Sequence, residues 1–329
     1  MTVKLRCRVQ QPPDIFVKNS MEHVLITGGT GTVGRHLAVF LAEKGYQITV
    51  LTRRLDQRRS KDARISYAYW NPEKKEIDAD AFRSADHIIH LAGAGVVDQR
   101  WSAAYKKTIL DSRVQGGACI LHNIAHQPNQ LQTLLSASAI GWYGPDQTGG
   151  HAFTETDPAY GDFLGQTCFA WENSTQTTQV RVCHVRIGIV LARHGGALPE
   201  FEKPLRFGLA AIPGSGRQIV SWIHIDDLCR IFLHLLTHKK LTGPFNAVAP
   251  HPVSSSELAK SIGRIRNHNR FIPIHIPAFF LKWIMGESSI EILKSTTVGS
   301  EKIQSTGFSF AYPEINTALT DLYSRKKQS

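Results

Sequence analysis

The stretch Thr27-Gly28-Gly29-Thr30-Gly31-Thr32-Val33-Gly34 places glycines at the spacing TGxxGxxG, and the chemistry that spacing suits is the holding of a pyrophosphate. Gly28 permits a tight turn after a strand, Gly31 lets the backbone approach phosphate oxygens, and Gly34 lets the next helix pack close to a sheet. The N–H groups of Thr30, Thr32 and Val33 lie at the start of that helix, where its dipole favours an anion. A glycine triplet alone is weak, because turns are rich in glycine. Here a β-rich run, His23-Val24-Leu25-Ile26-Thr27, precedes it and a helical pattern follows it, as the motif requires.

The next β-rich run ends in Leu51-Thr52-Arg53-Arg54. A carboxylate at such a strand end would take the ribose 2′-hydroxyl of NAD. Arginines instead match a 2′-phosphate through paired, charge-assisted hydrogen bonds. Thr52, Arg53 and Arg54 therefore favour NADP. Asp56 nearby leaves NAD as the lesser option, and the plain alternative is that the arginines are solvated surface charge.

Other residues could meet a polar or anionic substrate: Arg100, Trp101, Arg113, Trp142, Arg217, Trp222 and His224. His224 with Asp226 and Asp227 has the composition of a base with carboxylates, but an aspartate capping a helix explains Asp226 equally well. The five cysteines, Cys7, Cys119, Cys168, Cys183 and Cys229, form no metal-ligand spacing and read as reduced, mostly core thiols. No metal site is expected.

These groups need a scaffold, and the pattern supplies one. Strands are expected at 23–27, 48–52, 65–70, 87–91, 131–136 and 182–191. Helices are expected at 33–44, 103–124 and 163–175. Strands alternating with helices imply βαβ units, hence an α/β fold of the Rossmann, doubly wound, parallel-sheet class. Beyond residue 192 the alternation becomes irregular, with Gly195-Gly196, Pro213-Gly214-Ser215-Gly216 and Pro250-His251-Pro252 as punctuation. The expected organisation is an extension at 1–20, a dinucleotide-binding domain at 21–240 and a smaller C-terminal, substrate-side lobe at 241–323, joined by part of 192–222. Residues 324–329 form a basic tail. Phe279 to Met285 reads as a helix packed on the core.

The net charge of +11 is concentrated in the N-terminal stretch, the C-terminal tail and the group Arg53, Arg54, Arg58, Arg59, Lys61 and Arg64. The last group sits where a cofactor phosphate would be. No aromatic residues interleave with these clusters, so nucleic acid is not an expected partner. No apolar run is long enough to span a bilayer, and no apolar signal core follows the N-terminal basic residues. Pro12-Pro13 and Asp14 interrupt any basic amphipathic leader, and a cytoplasmic protein with a small-molecule substrate is expected.

With these elements in place the sequence resembles the extended, epimerase-like branch of the short-chain dehydrogenase/reductase superfamily. Within it, the chain is similar to nucleoside-diphosphate-sugar epimerase-like proteins that carry a C-terminal domain of unknown function. The resemblance spans residues 21–323 and rests on Leu25 to Gly31, Leu91-Ala92-Gly93-Ala94-Gly95, Gly161-Asp162-Phe163-Leu164 leading to Trp171-Glu172, Ser221 to Asp227, and Gly243-Pro244-Phe245-Asn246. It implies that Leu91, Ala92 and Gly93 run beside the cofactor and that Ile187, in Arg186-Ile187-Gly188, approaches the nicotinamide.

Active members of that superfamily use Tyr-x-x-x-Lys with an upstream Ser or Thr. This chain departs from the pattern: Leu164 stands at the tyrosine position and Cys168 at the lysine position, while Tyr160 is followed four residues later by Leu164. Ser138 falls about where the Ser/Thr would be and could polarise a carbonyl, unless it is a turn serine bonded to backbone. Tyr143 is the other catalytic candidate. Two functions remain open: an NADP-dependent oxidoreductase or epimerase of altered mechanism on a small polar, nucleotide-sugar-like substrate, and a non-catalytic NADP-binding sensor or regulator.

Overall fold

The computed structural model describes residues 21–55, 60 and 62–324. The extension at 1–20, Cys7, Asp56, Arg58, Arg59, Lys61 and residues 325–329 of the basic tail lie outside the described residues.

The first half alternates as expected: β1 (His23–Thr27), α1 (Thr32–Glu43), β2 (Gln47–Thr52), β3 (Ile65–Asn71), β4 (Glu76–Ile77), α2 (Ala79–Ser84), β5 (His87–His90), α3 (Ala103–His126), β6 (Thr133–Ala139), α4 (Phe163–Asn173) and β7 (Arg181–Ile187). The second half is more broken: β8 (Ile189–Ala192), β9 (Gly195–Gly196), α5 (Leu198–Leu205), β10 (Leu209–Pro213), β11 (Ile219–Val220), β12 (Trp222–His224), α6 (Ile225–Thr237), β13 (Gly243–Ala247), β14 (Val253–Ser254), α7 (Ser255–Arg266), β15 (Ile272–Ile276), α8 (Ala278–Met285), α9 (Ile290–Leu293), α10 (Glu301–Ser305) and α11 (Ile315–Ser324).

The main sheet has eight strands in the order β13-β7-β6-β5-β1-β2-β3-β4, parallel except for β4. Leu25, Ile26, Ile88 and Ile89 are fully buried because helices cover both faces, so β1 and β5 read as near-continuous apolar runs. From β1 the chain winds outward through β2 and β3, then returns to add β5 on β1's other side. The crevice beyond the carboxyl ends of β1 and β5 is the switch point at which such sheets bind ligands.

Three differences from the sequence expectation have physical causes. The run 182–191 is two strands, not one. It breaks at Gly188, where a Cβ would lie 2.6 Å from the Ser221 carbonyl oxygen and 2.7 Å from a Val248 methyl, and β8 leaves the main sheet to pair with β12 and β9. β13 falls within the segment 241–323, yet it pairs with β7 in the main sheet, and Ile303 and Phe308 join the core beneath it. Finally, α8 is not packed on the core: it has no buried residue, and Phe279 and Trp283 are 74% and 72% exposed.

A second core lies under α5, α7 and α11. It draws on Leu191, Leu198, Leu205, Trp222, Leu258, Ile262 and Leu319. The sequence 192–222 therefore feeds this lobe from one side and the segment after β13 from the other. No helix among the described residues is long and apolar enough to cross a membrane.

Candidate functional site

The glycine turn is built against the end of β5. Gly28 has a φ of +67°, and a Cβ there would lie 2.7 Å from the Leu91 carbonyl carbon and 2.8 Å from the Ala92 nitrogen. At Gly34 a Cβ would lie 2.4 Å from the Gly28 carbonyl oxygen. Gly31 caps α1 with extended backbone and no side chain over the helix start. The first N–H groups of α1 are thus left without a side-chain cap, at the end of the helix that favours an anion.

Thr27 ties the two strand ends together. Its hydroxyl oxygen accepts the N–H groups of Leu91 (3.1 Å) and Ala92 (3.3 Å) and lies 2.7 Å from His90 Nδ1. With both acceptor positions used, the hydroxyl donates to Nδ1, and the His90 proton sits on Nε2. Burial lowers the His90 pKa to about 4. The unfolded histidine, near 6.5, takes up protons that the folded one refuses. Stability is therefore full above pH 6.5 and falls as the pH drops toward 4, by at most about 3 kcal/mol for this residue. His90→Leu should flatten the fall of melting temperature over that interval; an unchanged slope would assign the acid sensitivity to other groups.

Arg53 and Arg54 follow β2 beside the crevice, both exposed and with no ion pair among the described residues. The Thr52 hydroxyl oxygen accepts the Arg54 N–H at 3.3 Å and shapes this turn. Arg64 does not share the task expected of the basic cluster. Its guanidinium grips Asp62 with two hydrogen bonds and donates to the Ala42 carbonyl at 2.6 Å.

The catalytic candidates are buried. Ser138 lies on β6 itself, opposite Arg186 of β7, not in the turn after the strand. It is 2% exposed, and its hydroxyl has no partner among the described residues. Tyr143 is also 2% exposed; its hydroxyl donates to Asn246 Oδ1 at 2.6 Å and accepts from Arg186 Nη1 at 3.0 Å. Burial pushes its pKa up to about 12 against the pull of Arg186. This placement makes Tyr143 a strut of the core. Trp142 is half-buried, donates its indole N–H to the Asp157 carbonyl at 2.9 Å, and carries the Arg186 guanidinium 3.7 Å above its ring.

The network around Tyr143 was not foreseen. Arg186 is buried and bonded to both carboxylate oxygens of Glu172, at 2.8 and 3.0 Å. Asn246 donates its amide to the Gly299 carbonyl, and its backbone N–H reaches Glu155 Oε1 at 2.7 Å. Six separate segments meet here, and no local spacing in the sequence signals it.

Leu164 and Cys168 lie buried on α4, with the Cys168 sulfur against the end of β6. Burial raises the Cys168 thiol to about 12, so it is neutral and inert. Cys119, Cys183 and Cys229 are likewise free, buried and raised.

The substrate candidates divide. Trp222 is fully buried in the second core, with its indole N–H bonded to the His251 carbonyl, and offers no face to a ligand. His224 is the N-cap of α6: its Nδ1 accepts the Asp226 N–H at 3.1 Å. The cap expected at Asp226 therefore lies two residues earlier. Trp101 donates to the Val96 carbonyl and stacks edge-on to Phe163, while Arg100 bonds the Trp283 carbonyl beside Gly286. A cleft of about 690 Å³ opens there, lined by Gly214, Ser215, Gln218, Lys282 and Glu287. Arg217 is exposed and precedes the lining residue Gln218 in the chain, but does not itself line the cleft. Ile187 ends β7, half-buried against the main core. The glycine turn also meets a segment not foreseen at the site: a Cβ on Gly195, between β8 and α5, would lie 2.1 Å from the Thr32 hydroxyl.

Residues 24–248 match the family model for the NAD dependent epimerase/dehydratase family, and residues 276–322 match a domain of unknown function. An epimerase family protein of Staphylococcus saprophyticus is 35% identical over 92% of this chain and 99% of its own length. One from Bacillus subtilis is 31% identical over 93% and 99%. Among solved structures, a human epimerase family protein crystallised with NADPH superposes with a TM-score of 0.81 at 27% identity, covering 92% of this chain and all of that one. A nucleoside-diphosphate sugar epimerase from Corynebacterium glutamicum gives a TM-score of 0.71 at 28% identity, over 94% of this chain and 60% of the other. The eight-stranded sheet, the glycine turn at its switch point and these likenesses agree: the chain belongs to the NAD dependent epimerase/dehydratase family.

Proposed function

We propose that the chain binds NADP and works as an oxidoreductase or epimerase-like enzyme on a small polar substrate, with nucleotide sugars the first class to try. The observation that carries this reading is the pairing of an uncapped α1 N-terminus, closed around Gly28 and Gly34, with two exposed arginines at the end of β2 that have no ion pair among the described residues. The turn 28–34 would hold the pyrophosphate, Arg53 and Arg54 the 2′-phosphate, and Leu91, Ala92, Gly93 and Ile187 the walls on the nicotinamide side. Ala92 and Gly93 are small enough to leave room for a ring system, and Leu91 and Ile187 would give it apolar walls. The human relative solved with NADPH supports the preference for the phosphorylated cofactor.

The bound cofactor would supply the hydride chemistry. This chain's own contribution would be orientation and polarisation: Ser138, near the end of β6 and with no hydroxyl partner among the described residues, can donate to a carbonyl oxygen. Leu164 and Cys168 cannot move a proton in the place where Tyr-x-x-x-Lys chains do so. That observation favours a second reading, a cofactor-binding sensor without turnover.

Fluorescence titration with NADPH and NADH tests the cofactor. Arg53→Glu should weaken NADPH by roughly ten- to a hundredfold and leave NADH nearly unchanged, since a charged hydrogen bond is lost and a like charge added. An unchanged NADPH/NADH ratio would refute the arginine assignment. A screen of nucleotide sugars and carbonyl compounds for NADPH oxidation separates the two readings; binding without any turnover favours the sensor.

A further inference from the structure

Arg113 is a buried cation with no carboxylate within ion-pairing distance among the described residues. It projects from α3 and is 9% exposed. Nη1 donates to the carbonyls of Ala94 (3.0 Å) and Ile109 (2.9 Å), and the guanidinium carbon lies 4.8 Å from the centre of the Trp171 ring. Nε and Nη2 have no acceptor among the described residues. A Cβ on Gly93 would lie 3.1 Å from the guanidinium carbon, so the segment after β5 lies close against this group and a side chain there would press on it. Burying a guanidinium without a counter-charge is costly, and such groups are normally paired or bound to a ligand. By contrast, the buried Arg186 has Glu172.

The position of Arg113 indicates what it would bind. The glycine turn follows β1, with Arg53 and Arg54 beyond β2 on one side and Arg113 against the end of β5 on the other. A dinucleotide with its pyrophosphate on the turn and its 2′-phosphate at Arg53 lays its second ribose toward β5. The helix facing that spot, α4, presents Leu164, Cys168 and Trp171, none of which carries a charge. On the NADP reading above, we infer that Arg113 holds the hydroxyls of the nicotinamide ribose through Nε and Nη2. It serves there as the fixed positive charge of the crevice, with α3 in place of α4 as its source. Its contacts to Ala94 and Ile109 fix the guanidinium before ligand arrives, which limits the entropy lost on binding.

The test uses two ligands that differ by the nicotinamide half: NADPH and adenosine 2′,5′-bisphosphate, titrated by calorimetry. Arg113→Gln should weaken NADPH about ten- to a hundredfold and leave the bisphosphate within about twofold. Arg113→Lys, which keeps charge and stem, should recover part of the loss. Equal weakening of both ligands, or none of NADPH, would overturn the assignment. Should the glutamine variant not fold, the wild-type protein with ¹⁵N-labelled arginine gives the same answer. The Nε–H resonance that Arg113→Lys removes should shift with NADPH and stay still with the bisphosphate; no shift with NADPH overturns the proposal. Wild-type protein that binds neither ligand sinks the NADP reading itself. Wild-type binding with an unaffected glutamine variant sinks only the role of Arg113.

Discussion

Glu172→Ala should lower the unfolding free energy by about 3–5 kcal/mol, the cost of leaving a buried guanidinium without its carboxylate. Arg186 is 2% exposed and Glu172 5%, and the two form a two-point contact of 2.8 and 3.0 Å, so water cannot take the place of either partner. The loss would spread beyond the pair. Arg186 also donates to Tyr143, whose hydroxyl donates to Asn246, and Asn246 carries the Gly299 carbonyl and the Glu155 carboxylate. Chemical denaturation of the purified variant gives the number. A double variant, Glu172→Leu with Arg186→Met, removes both charges and should regain much of the stability. A single variant within 1 kcal/mol of wild type would show that the pair contributes little.

Gly34→Val should abolish measurable cofactor binding, a loss of at least roughly a hundredfold, and should do so through the backbone. A Cβ at this position would lie 2.4 Å from the Gly28 carbonyl oxygen and 2.5 Å from the Gly29 Cα, so the turn must open before the side chain fits. Opening it moves the N–H groups of α1 away from the phosphates they would meet, and those contacts give the site its anion affinity. Gly45→Ala is the control. That glycine has a φ of +92° but open space around it, so its replacement strains one residue at the far end of α1 and leaves the turn intact. Titration with NADPH that shows Gly34→Val binding within a few-fold of wild type would remove the turn from the site.

The first half of the fold was legible because β1, α1 and β2 are each specified locally: an apolar run, a glycine triplet, a helical period ending at Gly45. The proposed preference for NADP likewise rests on a local signal, since Arg53 and Arg54 follow β2 directly. What escaped was set by distant partners. Tyr143 read as a catalytic candidate, but Arg186 and Asn246, 43 and 103 residues away, hold it as a strut. Trp222 had the type of a ligand-stacking residue and the burial of a core one. The break at Gly188 depends on Ser221 and Val248 lying alongside it, which periodicity cannot reveal. Arg113 was singled out by type alone, and only its burial without a counter-charge among the described residues gives it a specific place.

The return of β13 to the main sheet bears on how the chain is made. Emerging from the ribosome, the strands from β1 to β7 would be complete while β7 still has a bare outer edge, and the core under α6 would still lack Ile303 and Phe308. Unpaired edges of that kind invite pairing with other chains. The nucleotide-binding half therefore cannot finish folding as an early, separate unit: its last strand arrives only at residues 243–247 and its last core side chains at 303 and 308, and until then the nascent chain has an interval of exposure that a free-standing domain would not.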